Sequence, residues 1–216
     1  MGLEEVRETI EQTAISCGRK PQEITLIVVS KGQPIEAILK AYDAGVRDFG
    51  ENRTKELLEK REKAPKDIRW HFIGSLQRKK VKEIIGKCAL VHSVDSVRLA
   101  QEISKRSLLA GVVTPILLEA NISGEESKHG LSAEDWELQI SDIQNLEGIK
   151  IEGLMTMAPM TEDEDLVRNC FAGLKALRDK LGLRHLSMGM THDYTIAIEE
   201  GATLLRVGTA IFEEKR

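Results

Sequence analysis

Short apolar, β-branched runs alternate with amphipathic stretches along this chain, in the same order throughout. Ile24–Ser30 (ITLIVVS) is apolar at nearly every position, the pattern of a strand covered on both faces in a parallel sheet. Lys31, Gly32 and Gln33 follow as a turn, and Pro34 suits the first position of a helix. Ile35, Ile38, Leu39 and Tyr42 then share one helical face, with Gly45 as the stop. The unit recurs: VRDFG before a charged helix over residues 52–63, Ile68–Gly74 before a helix over 77–85, and Cys88–Val94 before a helix capped by Asp95. Ile116–Ser123, with Pro115 at its start, precedes a helix opened by Ser132 and Asp135. Ile149–Met157 precedes one opened by Thr161 and Glu164, and LRHLSMG and Ala202–Gly208 complete the series. With a leading helix up to about Cys17, these units predict an α/β fold, a single-domain (β/α)8 barrel over residues 1–216 with an extra N-terminal helix. An open doubly wound sheet is the alternative, though it usually has fewer strands.

Composition narrows the possibilities. A formal charge of −4 gives no global pull toward nucleic acid or anionic membrane. No apolar run approaches the roughly 20 residues that span a bilayer, and the acidic N-terminus has no signal-peptide stretch, so the expected address is the cytoplasm. Cys17, Cys88 and Cys170 fit no metal-ligand spacing and read as reduced thiols, two of them in core positions.

In a barrel of this kind the functional groups stand at the C-terminal ends of the strands. Those ends offer Lys31, Glu51 with Asn52, His71 with Gly74, His92, Asn121, Met155, Ser187–Gly189 and Arg206–Thr209. Lys31 follows a buried-type strand, where partial desolvation of its ammonium would free the amine to attack an aldehyde. The glycine turns Ser187-Met188-Gly189 and Gly208-Thr209, the first leading to a helix near Thr191, present backbone N–H groups suited to a phosphate; two tight turns that simply need glycine is the plainer reading. Arg206 lies inside an otherwise apolar strand, either salt-bridged to a strand-end carboxylate or facing a ligand heteroatom. Lysine, phosphate turns and arginine together describe a site for a phosphorylated aldehyde.

The segments VVSKGQP, RDFGEN, WHFIGSLQ, VHSVD, NISGEESKHG, GLMTM, LSMGMTHD and RVGTAIF, in that order, resemble the pyridoxal phosphate homeostasis protein family (YggS/PROSC). The resemblance covers nearly the whole chain. It implies a barrel of the pyridoxal phosphate fold type III kind, related to the N-terminal domain of alanine racemase. It further implies an internal aldimine on Lys31, phosphate contacts from Ser187, Met188, Gly189, Gly208 and Thr209, and Arg206 at the pyridine nitrogen. Asn52, His71 and Met155 would line the ring. A permanent cation at that nitrogen disfavours its protonation and weakens the ring as an electron sink. Arg53, Lys79, Thr191 and Glu213 depart from the family's usual pattern, at the rim and tail.

The expected function is buffering or delivery of pyridoxal phosphate inside the cell, as a monomer, without a dedicated reaction, and with apo-enzymes that require the cofactor as recipients. The alternative is a small amino-acid racemase, which needs an ionisable group across the cofactor plane from Lys31, such as His71 or His192. An aldolase-like barrel acting on a sugar phosphate is a third reading. The run Arg78–Lys82 is expected on a solvated face, with Val81, Ile84 and Ile85 packed inward. Lys128 either reaches the barrel mouth or stabilises its loop.

Overall fold

Apolar runs that must be covered on both faces find that cover in a closed parallel barrel. The computed structural model describes residues 2–125 and 128–212. Its strands are β1 Thr25–Val29, β2 Asp48–Glu51, β3 Arg69–Phe72, β4 Leu90–Val94, β5 Thr114–Glu119, β6 Ile149–Met155, β7 His185–Ser187 and β8 Leu204–Val207, joined in sequence order. The ring closes where β1 pairs with β8, Ile27 standing beside Arg206.

Side chains on a strand alternate between its two faces, and the barrel sorts them into two cores. Ile27, Leu90, Leu117, Met155 and Leu204 pack together inside the ring. Neighbours of opposite parity, among them Val28, Phe49, Leu118, Leu154 and Leu186, pack outward against the helices. These helices are α1 Leu3–Ser16, α2 Ile35–Asp43, α3 Thr54–Lys63, α4 Val81–Ile84, α5 Val97–Leu109, α6 Ala133–Gln139, α7 Glu164–Lys180, α8 Tyr194–Glu199 and α9 Thr209–Phe212. The extra helix α1 buries Val6, Ile10 and Ala14 and packs on α8 and α9.

Several local expectations shift by a residue or more. Pro34 is the N-cap of α2, with extended backbone (φ −69°, ψ 161°), because a cap residue must not yet be helical. Ser96, not Asp95, caps α5: its hydroxyl accepts from the Leu99 N–H at 3.4 Å while donating to Asp95. Asp163 replaces Thr161 as the cap of α7, accepting from the N–H groups of Asp165 and Leu166, while Ser132 caps α6 as its spacing predicts. The segment over 77–85 is a 3-10 turn (Arg78–Lys80) followed by the single turn of α4; its basic residues are exposed, Val81 and Ile84 are buried and Ile85 is half-buried. The helix expected near Thr191 starts at Tyr194, since the Asp193 carboxylate first accepts the Met190 N–H. Only Cys170 of the thiols is fully buried, Cys17 being exposed and Cys88 half-buried. Glu213 and the chain end at 213–216 lie outside the described residues, as do Glu126 and Ser127 of the NISGEESKHG segment.

Candidate cofactor site

At the C-terminal rim the strands open into one cleft of about 570 Å³, within the range typical of small-molecule sites. Lys31, Asn52, Arg206, Gly208 and Thr209 all line it. His71, Met155, Ser187, Met188 and Gly189 do not. Interior positions recur every second residue at about 3.3 Å per residue, so each interior layer lies about 6–7 Å below the next. Met155, His71 and Ser187 occupy the layer beneath the cleft; two residues further along their strands, Met157 and Ile73 reach its wall and Gly189 begins the turn above. Glu119, rather than Asn121, is the β5 group on the cleft. A charged residue inside the apolar run ILLEANIS was the signal for it, the same signal that marks Arg206 in LLRVGTAIF.

Lys31 is exposed, so protein burial does not desolvate its side chain. The reason is its place in the turn two residues past β1, on the open mouth. What is fixed there is the backbone on either side. Ser30, fully buried, donates its hydroxyl to Glu51 Oε1 at 2.7 Å. Lys60 Nζ donates to the Ser30 carbonyl and to Glu51 Oε1, both at 2.7 Å, and to Glu56 at 3.3 Å. The Gly32 N–H donates to the same Glu56 oxygen at 2.9 Å. That backbone bond, chiefly, holds the Glu56 carboxyl below its ordinary range, whereas burial raises that of Glu51 against the pull of Lys60 and Ser30. One ionic cluster therefore brackets Lys31 on both sides. Ser30→Ala removes a donor to a buried carboxylate that already has one unpartnered oxygen, Oε2. The expected cost is about 1–2 kcal/mol, measurable by urea unfolding.

Beneath the cleft a buried polar chain crosses the barrel. Arg69 donates to both Asp48 oxygens, at 2.7 and 2.5 Å, and Asp48 Oδ1 lies 3.0 Å from His71 Nε2. His71 Nδ1 is 2.9 Å from His92 Nε2, and His92 Nδ1 is 2.8 Å from Ser187 Oγ. Arg206 Nη1 donates to that Oγ at 2.5 Å and Nη2 donates to the Thr156 carbonyl at 2.9 Å. Ionised Asp48 at one end only accepts and the Arg206 guanidinium at the other only donates; together they order the links. Ser187 accepts from Arg206 and donates its hydroxyl to His92 Nδ1; His92 donates from Nε2 to His71 Nδ1; His71 donates from Nε2 to Asp48. Burial, with His71 and Arg206 nearby, holds the His92 pKa well below the ordinary histidine value, which keeps it neutral. Burial also lowers Arg206 to about 10, with Asp193 and Glu119 opposing, so it remains a cation at neutral pH.

Glycine is required at both turns above this chain. Gly189 has φ +93°, and a Cβ there would stand 2.6 Å from the Ala197 Cβ. A Cβ on Gly208 would stand 2.9 Å from the Val29 carbonyl oxygen. The first turn presents Met190, Thr191 and His192 to the cleft and the second presents Thr209. Lys128 does not line the cleft; it pairs with Glu125 at 2.7 Å and donates to the Met157 carbonyl at 3.1 Å, tying the loop after β5 to the one after β6.

Fold and site define an open-mouthed (β/α)8 barrel whose rim brings an exposed amine, a buried guanidinium and two glycine turns to one cleft. Residues 3–215 match the alanine racemase N-terminal domain family. The pyridoxal phosphate homeostasis protein of Aquifex aeolicus is 42% identical over 221 residues, covering 99% of this chain and 97% of that one. Its Escherichia coli K12 counterpart is 36% identical, covering 97% and 94%. Among solved structures, PipY of Synechococcus elongatus with pyridoxal phosphate bound is 32% identical with a TM-score of 0.83, covering 95% of this chain and 100% of that one. An alanine racemase of Clostridium difficile in complex with cycloserine shares the fold at 16% identity and a TM-score of 0.78, covering all of this chain and 61% of that one. The chain belongs to the pyridoxal phosphate homeostasis protein family.

Proposed function

We propose that this protein binds pyridoxal phosphate as a reversible Schiff base on Lys31 and so buffers or delivers the cofactor, with apo-enzymes that need it as the recipients. The observation that carries this reading is the convergence of Lys31, Arg206 and both glycine turns on one cleft. The donor set suits the ligand. Lys31 supplies a primary amine for the aldehyde; the turns at Gly189 and Gly208, with the Thr191 and Thr209 hydroxyls, supply donors for a phosphate. Arg206 supplies a cation for the ring nitrogen, and Asn52 also lines the cleft.

When bound, the cofactor supplies an electron-withdrawing imine. The residues of this chain hold and orient it. Ser187, Met155 and His71 support that arrangement from the layer below, Ser187 by fixing Arg206, while Met188 packs in the core between barrel and helices. Because Arg206 keeps its proton, it favours a neutral pyridine nitrogen, which suits storage better than carbanion chemistry. We further propose a monomer acting in the cytoplasm, one barrel domain over residues 1–216; among the described residues no helix is long and apolar enough to cross a membrane.

The test is to add pyridoxal phosphate to the purified protein, follow visible absorption, reduce with borohydride and map the modified peptide by mass. The expected result is one pyridoxyl group, on the peptide containing Lys31. A protein that gains no visible band and no adduct refutes the cofactor reading.

A further inference from the structure

We propose that Glu119 is the group that exchanges protons with the Schiff base at Lys31, governing how fast the cofactor is taken up and given back. This rests on the binding reading above and deepens it. In a ring of eight strands joined in order, β1 and β5 stand four strands apart in either direction, so their ends face one another across the mouth. Ile27 and Leu117 point into the barrel interior. Two steps of two residues beyond Ile27 stands Lys31; one step beyond Leu117 stands Glu119. Both line the same cleft.

The carboxylate is built in rather than stray. Glu119 is only 4% exposed, and its backbone is pinned where the Trp136 indole N–H donates to its carbonyl at 2.8 Å. Its carboxylate oxygens make no hydrogen bond to any described residue, so they remain available to a ligand or to cleft water. Among the described residues, three charged or titratable groups act on it: Asp95, His129 and Arg206. Burial chiefly, with Asp95 adding to it and His129 and Arg206 opposing, raises its pKa to about 7. At neutral pH such a group supplies both the acid and the base that imine exchange requires. His129 and His192 also line the cleft, but both are exposed.

The chemistry balances without an outside reagent. The Lys31 amine adds through its nitrogen lone pair to the aldehyde carbon, the C=O π bond breaks, and a proton passes from that nitrogen to the oxygen, giving a carbinolamine. The Glu119 carboxyl protonates its hydroxyl, the C–O bond breaks, water leaves, and the nitrogen lone pair forms the C=N bond. The carboxylate regains its proton from that nitrogen or from solvent. In reverse, the carboxylate takes a proton from water as its oxygen adds to the protonated imine carbon; the carboxyl returns a proton to nitrogen, the C–N bond breaks as the C=O bond re-forms with loss of the hydroxyl proton, and the amine is released.

Rapid mixing of the cofactor-free protein with pyridoxal phosphate, between about pH 6 and 9, reads the rate of imine formation; dilution into an excess of a competing amine reads its loss. Glu119→Gln keeps the shape and removes the titration. It is expected to slow formation and loss alike, by about 100-fold, the scale of general acid–base catalysis. Loading at equilibrium should change little, and the rate should lose its inflection near neutral pH. Glu119→Asp should restore part of the rate, and His129→Asn should keep the inflection but move it upward, since His129 opposes the raised Glu119 pKa. Unchanged rates in Glu119→Gln overturn the proposal. So does a slower uptake matched by an equal loss of affinity, which marks a merely structural residue, or an inflection that disappears with His129 instead. A wild-type protein that forms no adduct refutes the binding reading itself, a result distinct from every outcome for the variants. Thermal melting gives a check independent of the cofactor: a raised pKa in the folded state makes the ionised carboxylate a burden as pH rises through 7, so Glu119→Gln should melt higher than wild type at about pH 8 and lose that advantage near pH 4.

Discussion

Asp48→Ala is expected to cost the barrel about 1–3 kcal/mol, the range for leaving a buried donor without its acceptor, against a total of about 5–15 kcal/mol for a typical domain. Asp48 is nearly buried and accepts from Arg69 twice and from His71 once. Arg69 is largely exposed and returns to water; His71 is buried and is left with a donor facing no acceptor. The polarity of the whole chain then loses one of its two anchors, and the Ser187–Arg206 contact above it loosens. Burial alone would raise the Asp48 carboxyl, but the hydrogen bonds from His71 and Arg69 outweigh it and hold the pKa below its ordinary value. A depressed folded-state pKa contributes stability above the unfolded value, about 3.9, and that stability is lost as pH falls through the folded value. His92 works in the same direction: unfolded, it takes a proton below about pH 6.5, whereas folded it stays neutral to well below that. Between about pH 6.5 and 4 that loss is opposed by Glu119, whose raised pKa favours the folded state as pH falls, so the clear loss of wild-type stability should come below about pH 4. Urea titrations across pH should find that loss reduced in Asp48→Ala. A variant as stable as wild type, with an unaltered acid profile, would mean that the chain carries no load.

Lys31→Ala should abolish the reduced cofactor adduct completely while leaving the fold intact. The side chain is exposed and makes no hydrogen bond or ion pair with any described residue, so its removal should change stability by no more than about 0.5 kcal/mol. Binding that remains would depend on the glycine turns and Arg206 alone, without a covalent bond, and at least 100-fold weaker affinity is expected. Mass mapping after borohydride decides the matter: an adduct that persists undiminished on another lysine would move the site away from the end of β1. Lys128, engaged with Glu125 and the Met157 carbonyl, is the control position.

Much of this was legible in the chain. Runs such as ITLIVVS, apolar on both faces, dictate covered parallel strands, and their repetition dictates the barrel. Lys31 and Arg206 stood out as charges attached to apolar strands, and both line the cleft. Glu119 carried the same mark within ILLEANIS. Depth along each strand was harder to read. Met155, His71 and Ser187 are inward-facing residues near strand ends, as expected, but they lie one layer too deep to line the mouth. Which layer opens to solvent depends on how the strands are staggered around the ring, and stagger is a property of all the strands together.

Local periodicity and polarity, set by side-chain alternation and by the chemistry of each turn, determined from sequence alone the order of strands and helices, and singled out Lys31 and Arg206, which line the cleft at the C-terminal rim. The tertiary structure alone decided which side chains meet. Asp48, His71, His92, Ser187 and Arg206 come from five different strands, and Lys31 and Glu119 from opposite sides of the ring. In the polar chain, three hydrogen bonds join neighbouring strands, whereas the one between Ser187 on β7 and His92 on β4 crosses the ring and depends on barrel closure, which brings residues so distant in the chain within 3 Å of one another.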